Sequence, residues 1–319
     1  MRVLVTGATG FVGRFLCPLL AKRGHQVTAA VRTMPDKAVE GAVRTIAIGT
    51  INTDTDWSDA LDNIEAVIHL AARTHVMNDR AVDPEALYHE VNVGGTTRLA
   101  QAALDRGVQR LLYLSSVKAL AERSGGQALN ETLTPAPEDA YGRTKLAAEK
   151  VLLDIADGTD MRVTILRPPL IYGPGAKANL LSLIKACDKR LPLPLGLVSN
   201  KRSLVFLGNL TDAMTCVLEA ESLPAETFLV SDGEAISTPE LVRRISHALG
   251  RSPRLLPVPV WMLRLAGSLT GKSDTIDRLT GSLEIDDSKI HQQLDWTPPF
   301  SMLQGLEQTA AWFNDQENR

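Results

Sequence analysis

The chain has 319 residues, 44% of them hydrophobic and 22% charged, which are globular proportions. A chain of this length buries about three quarters of its unfolded surface. Lys and Arg number 34 against 37 Asp and Glu, for a net charge of −3, so there is no basic field to gather a polyanion, and nucleic acid is excluded as the main ligand. Three cysteines, Cys17, Cys187 and Cys216, lie far apart in sequence and form neither a metal-ligand spacing nor a disulfide framework. No apolar run reaches the ~18 residues of a membrane span. A cytoplasmic protein with no metal and no stable membrane insertion is expected.

Short apolar, β-branched runs alternate with helical patterns through the first 170 residues. The runs are 2–6, 26–31, 43–48, 66–70, 110–115 and 162–167. Several lack in/out alternation, as Ala66-Val67-Ile68-His69-Leu70 does, which predicts strands covered on both faces and hence an α/β, Rossmann-type doubly wound parallel sheet. Beyond Arg167, prolines such as Pro168, Pro169, Pro174, Pro192 and Pro194 break the chain into shorter pieces. Helices are predicted over 178–189, 210–221, 238–249, 260–269 and 302–314. The organisation expected is a dinucleotide-binding domain over 1–170, carrying the catalytic residues, and a smaller, mostly helical substrate lobe over 171–319. The segment Trp261-Met262-Leu263-Arg264-Leu265-Ala266 reads as a core-facing or partner-facing helix in preference to a membrane-surface one.

The first motif follows the first strand at once: Gly7-Ala8-Thr9-Gly10-Phe11-Val12-Gly13. Gly7 permits a tight turn, Gly10 lets backbone N–H groups approach a pyrophosphate at the helix N-terminus, and Gly13 lets helix and strand pack closely. Thr9, Phe11 and Val12 complete the loop. Pro18 predicts a kink in the helix that follows. Arg32 ends the second strand where an NAD site places an acidic residue, and a cation there favours the 2′-phosphate of NADP, with NAD as the alternative. Arg14 is a possible second cation.

The second motif, Tyr141-Gly142-Arg143-Thr144-Lys145, places a phenol and an ammonium on one helix face. The ammonium is expected to draw the phenol towards neutrality, so that Tyr141 exchanges a proton with a substrate oxygen. Lys145 with Glu149 reads equally as a surface pair. Ser115 and Ser116 end the fifth strand, where ligands of open α/β sheets sit.

With the three-residue gap between Gly7 and Gly10, these motifs resemble the extended short-chain dehydrogenase/reductase family, in particular its nucleotide-sugar epimerases and reductases. The resemblance implies catalytic roles for Ser116, Tyr141 and Lys145, with Ser115 structural or lining the cofactor. It sets Leu70, Ala71, Ala72 and Asn92 against the cofactor, with Asn92 beginning the helix behind the active site, and makes Arg167 to Gly175, including Pro168, the segment closing over the nicotinamide. On the substrate side it implies that Asn179 and Arg202 contact the phosphates of a UDP-linked sugar. Arg278 is a second basic contact, and Arg73, His75 and Val76 are pocket candidates. It also implies a homodimer through helices at about 84–104 and 140–157.

Two departures narrow the reaction. Val117-Lys118 stand where 4,6-dehydratases carry an Asp-Glu pair, which excludes dehydration, and Gly49-Thr50-Ile51 replace the family's adenine-holding Gly-Asp. The leading expectation is an NADPH-dependent 4-reductase of a UDP-4-keto-6-deoxy-hexosamine. A UDP-glucose or UDP-GlcNAc 4-epimerase fits the same residues, and a reductase of a non-nucleotide ketone, steroid-like or dihydroflavonol-like, is the third reading.

Overall fold

The computed structural model describes residues 1–74, 83–221 and 225–317. The six strands expected in the first half form, with ends displaced by at most a residue: β1 (Arg2–Thr6), β2 (Gln26–Val31), β3 (Ala42–Ala47), β4 (Ala66–His69), β5 (Arg110–Leu114) and β6 (Arg162–Arg167). Helix α1 (Gly13–Lys22) runs through Pro18 as one element. The others of this half are α2 (Pro84–His89), α3 (Gly95–Asp105) and α4 (Ala140–Ala156).

The second half adds β7 (Leu170–Tyr172), α5 (Ala178–Asp188), β8 (Arg202–Phe206), α6 (Leu207–Glu219), β9 (Glu226–Leu229), β10 (Ala235–Ile236), α7 (Thr238–Ala248), α8 (Val260–Thr270), α9 (Ser273–Thr280), α10 (Ser288–Leu294) and α11 (Met302–Glu317). It is largely helical, as expected. It also supplies strands that the proline-broken sequence conceals.

Seven strands make one sheet in the order β3-β2-β1-β4-β5-β6-β9, every neighbouring pair parallel. Its edge strand β9 comes from beyond residue 170, so the first sheet is completed by the second half of the chain. A smaller sheet, β10-β8-β7, lies in the second lobe. Period-two alternation sends Val3, Val5 and Ile68 to one face, under Leu16 and Leu20 of α1 and Leu210 and Met214 of α6. It sends Leu4 and Val67 to the other face, with Leu99 and Ala103 of α3 and Leu152 of α4. Both faces are covered, which is why the strands show no polar side. The chain reverses its winding between β1 and β4, and the crevice beyond the carboxyl ends of those strands is where such sheets bind ligands. No helix among the described residues is long and apolar enough to cross a membrane.

Candidate active site

The glycine loop spans that crevice. Gly7 adopts φ +68°, and a Cβ there would lie 2.9 Å from the backbone nitrogen of Ala71, at the end of β4. A Cβ on Gly13 would lie 2.4 Å from the Gly7 oxygen, so only glycine lets α1 begin this close to the turn. The Gly10 N–H donates to the Gly7 carbonyl at 2.8 Å. Among the described residues no backbone carbonyl accepts from Phe11 or Val12, whose N–H groups open onto the start of α1, and the first turn holds no acidic residue. Unpaired donors at a helix N-terminus without nearby negative charge suit a pyrophosphate. The loop therefore fits a dinucleotide. Arg14 is turned back to the loop, its Nε donating to the Thr9 carbonyl at 2.8 Å. Arg32 lies exposed just past β2.

On the other side of the crevice, the Thr6 hydroxyl accepts the N–H groups of Leu70 and Ala71, each at 3.2 Å, and contacts His69 Nδ1 at 2.7 Å. The Nε2 of His69 meets the Thr96 hydroxyl at 3.0 Å. Burial, and then the charge of Lys145, drive this imidazole down to about 3, so it is a neutral structural group that fixes the Leu70-Ala71-Ala72 segment.

Asn92, expected at the cofactor, spends its amide on the protein. Its Oδ1 accepts from the Arg73 N–H at 2.7 Å, and its Nδ2 donates to the Arg73 carbonyl at 3.1 Å and the Thr144 hydroxyl at 3.2 Å. It clamps the strand-end segment to α4. The Arg73 guanidinium lies 5.5 Å from the centre of the Tyr88 ring. His75 and Val76 fall outside the described residues.

The catalytic candidates converge from β5 and α4. Ser116 caps the short turn Val117–Ala119, its hydroxyl accepting from the Lys118 N–H at 3.2 Å. Asp139 caps α4 by accepting from the Gly142 N–H at 2.7 Å. A Cβ on Gly142 would lie 2.3 Å from the Lys118 carbonyl. This glycine therefore lets the start of α4, and Tyr141 with it, close onto the turn that holds Ser116. The tie is reinforced by Lys118, whose Nζ meets Asp139 at 2.6 Å. The ends of β5 and β6 are joined as well, Val117 N–H donating to the Pro168 carbonyl at 2.9 Å. The Gly173-to-Gly175 turn that follows approaches the glycine loop, Gly175 lying against the ring of Phe11.

Lys145 is buried, its Nζ donating to the Leu114 carbonyl at 2.7 Å and standing 5.9 Å from the centre of the Tyr141 ring. Burial lowers its ammonium to about 7, with the Glu149 carboxylate pulling the other way. The expected depression of the Tyr141 pKa is not found in the protein by itself. Burial first, then the charge of Asp139 and the Tyr88 ring, push the phenol above its ordinary value. An ammonium held only partly charged and nearly 6 Å away does not outweigh desolvation.

Glu149 is no surface partner of Lys145. It is 2% exposed, accepts from the Ser115 hydroxyl, and takes both Nε (3.0 Å) and Nη2 (2.5 Å) of the buried Arg167. Ser115 is therefore structural. Sequence reasoning missed this ion pair, although a charge closing the otherwise apolar β6 run was a usable signal. Gly142 was likewise visible inside the Tyr-to-Lys motif without its contact being apparent.

Of the substrate-side candidates, Arg202 and Arg278 are brought together: Nη1 of Arg202 donates to the Arg278 carbonyl at 2.6 Å and to Gly281 at 3.2 Å. Burial lowers the Arg202 guanidinium below its ordinary value. Asn200 braces this corner, its amide reaching Thr238 and the carbonyls of Leu279 and Gly281. Asn179 is exposed in the first turn of α5. No group of three metal-ligating side chains occurs among the described residues.

A glycine loop at the switch point of a parallel sheet, with Ser, Tyr and Lys meeting at the neighbouring strand end, defines a dinucleotide-dependent enzyme of the short-chain dehydrogenase/reductase class. The chain belongs to the NAD dependent epimerase/dehydratase family, whose model matches residues 3–231. A UDP-glucose 4-epimerase of Vibrio cholerae is 43% identical, over 99% of this chain and 97% of the relative. A 3-beta-hydroxysteroid dehydrogenase of Mycolicibacterium neoaurum is 30% identical over 98% of this chain and 92% of its own length. Among solved structures, MoeE5 in complex with UDP-glucuronic acid and NAD is 26% identical with a TM-score of 0.79, covering 99% of this chain and 100% of that one. These relatives favour the epimerase over the reductase expected first, and give NADP as the primary cofactor no support.

Proposed function

We propose that this chain is an NAD-dependent 4-epimerase of a UDP-linked hexose. The observation that carries the reading is the closure of α4 onto the β5 end through Gly142, which brings Tyr141 and Lys145 to the turn that Ser116 caps. The 43% identity to a UDP-glucose 4-epimerase favours the sugar class and the reaction. NAD fits the loop formed by Gly7, Gly10 and Gly13 together with Leu70, Ala71 and Lys145, and when bound it supplies reversible hydride transfer at C4.

The chain's own residues handle the proton and the geometry. The Tyr141 hydroxyl exchanges a proton with the C4 oxygen, and the Ser116 hydroxyl holds that oxygen by a hydrogen bond. Lys145, fixed by the Leu114 carbonyl, keeps a positive charge near the phenol whenever it is protonated, favouring the phenolate over the neutral form. Arg202, with Arg278 as a second cation, offers positive charge to the diphosphate.

The test is to denature freshly purified protein and identify the dinucleotide it releases, then to incubate undenatured protein with UDP-glucose and no added cofactor. Stoichiometric NAD and formation of the C4 epimer support the proposal. One observation favours a second reading: Arg32 stands where an acidic residue would hold an NAD ribose. A protein released empty that turns over a UDP-4-keto sugar only with added NADPH would establish that 4-reductase instead.

A further inference from the structure

Helix α8 has two apolar faces. Leu263 and Gly267, at i and i+4, are buried, with Gly267 packed against Ile276 of α9. On roughly the opposite side, Trp261, Leu265 and Leu269 follow at i, i+4 and i+8 with Met262 beside them. Their exposures are 66%, 55%, 79% and 45%. The stripe continues onto the preceding segment, where Leu256 is exposed and pairs through its backbone with Leu193. That neighbouring loop exposes Leu191 and Leu197. Seven of the 13 exposed large hydrophobic residues among the described residues thus lie on α8 and on these two paired segments, a concentration that marks an interaction site.

The charge of the segment carrying this face differs from the rest of the chain, while α9, packed on α8, adds Asp274 and an Asp277 that pairs with Arg123. Residues 251–272 contain Arg251, Arg254, Arg264 and Lys272 and no acidic residue, in a chain whose net charge is −3. Arg251 pairs with Asp188. The other three are exposed and lie in no ion pair among the described residues. A second copy of the chain would bring the same cations against themselves in a two-fold contact, which disfavours self-association here. An apolar stripe with an exposed Trp, edged by unpaired cations, matches an anionic lipid surface.

We propose that the protein docks peripherally on anionic membranes through the α8 face, with Trp261, Leu265 and Leu269 entering the headgroup boundary and Arg254, Arg264 and Lys272 meeting lipid phosphates. The contact is reversible and uses no residue assigned to the reaction.

The experiment is co-sedimentation of the full chain with vesicles of phosphatidylcholine alone and of equal parts phosphatidylcholine and phosphatidylglycerol, with tryptophan emission followed in parallel. The wild type is expected to pellet with the anionic vesicles, with a blue shift in emission, and to stay in solution with the neutral ones. A Trp261→Ser, Leu265→Ser, Leu269→Ser variant should lose at least about tenfold in binding. Arg264→Glu with Lys272→Glu should lose more than the roughly fivefold attributable to one cation. Both variants should keep wild-type turnover of a UDP-hexose, which separates this docking from the catalytic assignment and from misfolding. The proposal is overturned if the wild type ignores anionic vesicles, if the variants bind as well as it does, or if the apolar substitutions instead convert a dimer to a monomer in solution.

Discussion

Replacing Glu149 by Ala should be among the most destabilising single changes in the protein. The carboxylate is 2% exposed, takes Nε and Nη2 of Arg167 at 3.0 and 2.5 Å, and accepts from the Ser115 hydroxyl. Removing it leaves a guanidinium whose residue is only 6% exposed without its counter-charge, and breaking a buried pair this way costs about 3–5 kcal/mol. The double variant Glu149→Leu, Arg167→Met removes both charges and fills similar volume. It should lie within about 2 kcal/mol of wild type, well short of the sum of its two single changes. The assay is urea unfolding of the ligand-free protein for Glu149→Ala and for all four members of the Glu149→Leu, Arg167→Met cycle, read by far-UV circular dichroism. A Glu149→Ala cost under about 1 kcal/mol, or simple additivity across the cycle, would refute the claim that this pair anchors the α4–β6 interface.

Three further outcomes follow from the same geometry. Lys145 titrates at about 7 in the folded protein against an ordinary 10.5. The unfolded chain therefore binds the extra proton between those values, and stability rises with pH across that window. Raising pH from about 7 to about 9 should add about 2 kcal/mol, measurable by urea unfolding and absent in Lys145→Met. Gly13→Ala places a Cβ 2.4 Å from the Gly7 oxygen, so Tm should fall by an amount equivalent to at least about 1–3 kcal/mol. Dinucleotide measured in the purified variant should fall with it. Tyr141→Phe removes only the exchanging hydroxyl, so turnover should drop about 10²–10⁴-fold while bound dinucleotide stays at the wild-type level.

What the sequence showed well was local. The glycine loop could be read because the strand, turn and helix that give Gly7, Gly10 and Gly13 their roles are contiguous. The doubly covered strands could be read because β-branched runs without a polar side admit few other placements. What stayed hidden depended on contacts between distant segments. β9 is four residues long and is a strand only because it lies beside β6, roughly sixty positions earlier. Tyr141 and Lys145 share a helix face, as their spacing predicts, yet burial and Asp139 decide the direction in which the phenol shifts. Lys145 and Glu149 at i, i+4 look like an exposed pair until β5 and β6 enclose both. Asn92 looks like a cofactor ligand until Arg73 and Thr144 are seen to occupy its amide. On α8 the sequence favoured a core-facing or partner-facing helix over a membrane-surface one, and that Trp261, Leu265 and Leu269 stay exposed while Leu263 is buried was not legible.

The most direct test of the central claim follows the hydrogen on C4. Purified protein is incubated with UDP-hexose carrying deuterium at C4 and no added dinucleotide, and the product is isolated and analysed by mass spectrometry and NMR. A 4-epimerase built on Ser116, Tyr141 and Lys145 with NAD held in the glycine loop should give the C4 epimer with the deuterium still at C4. Product that has lost the label, or that forms only when NADPH is supplied, would contradict the account.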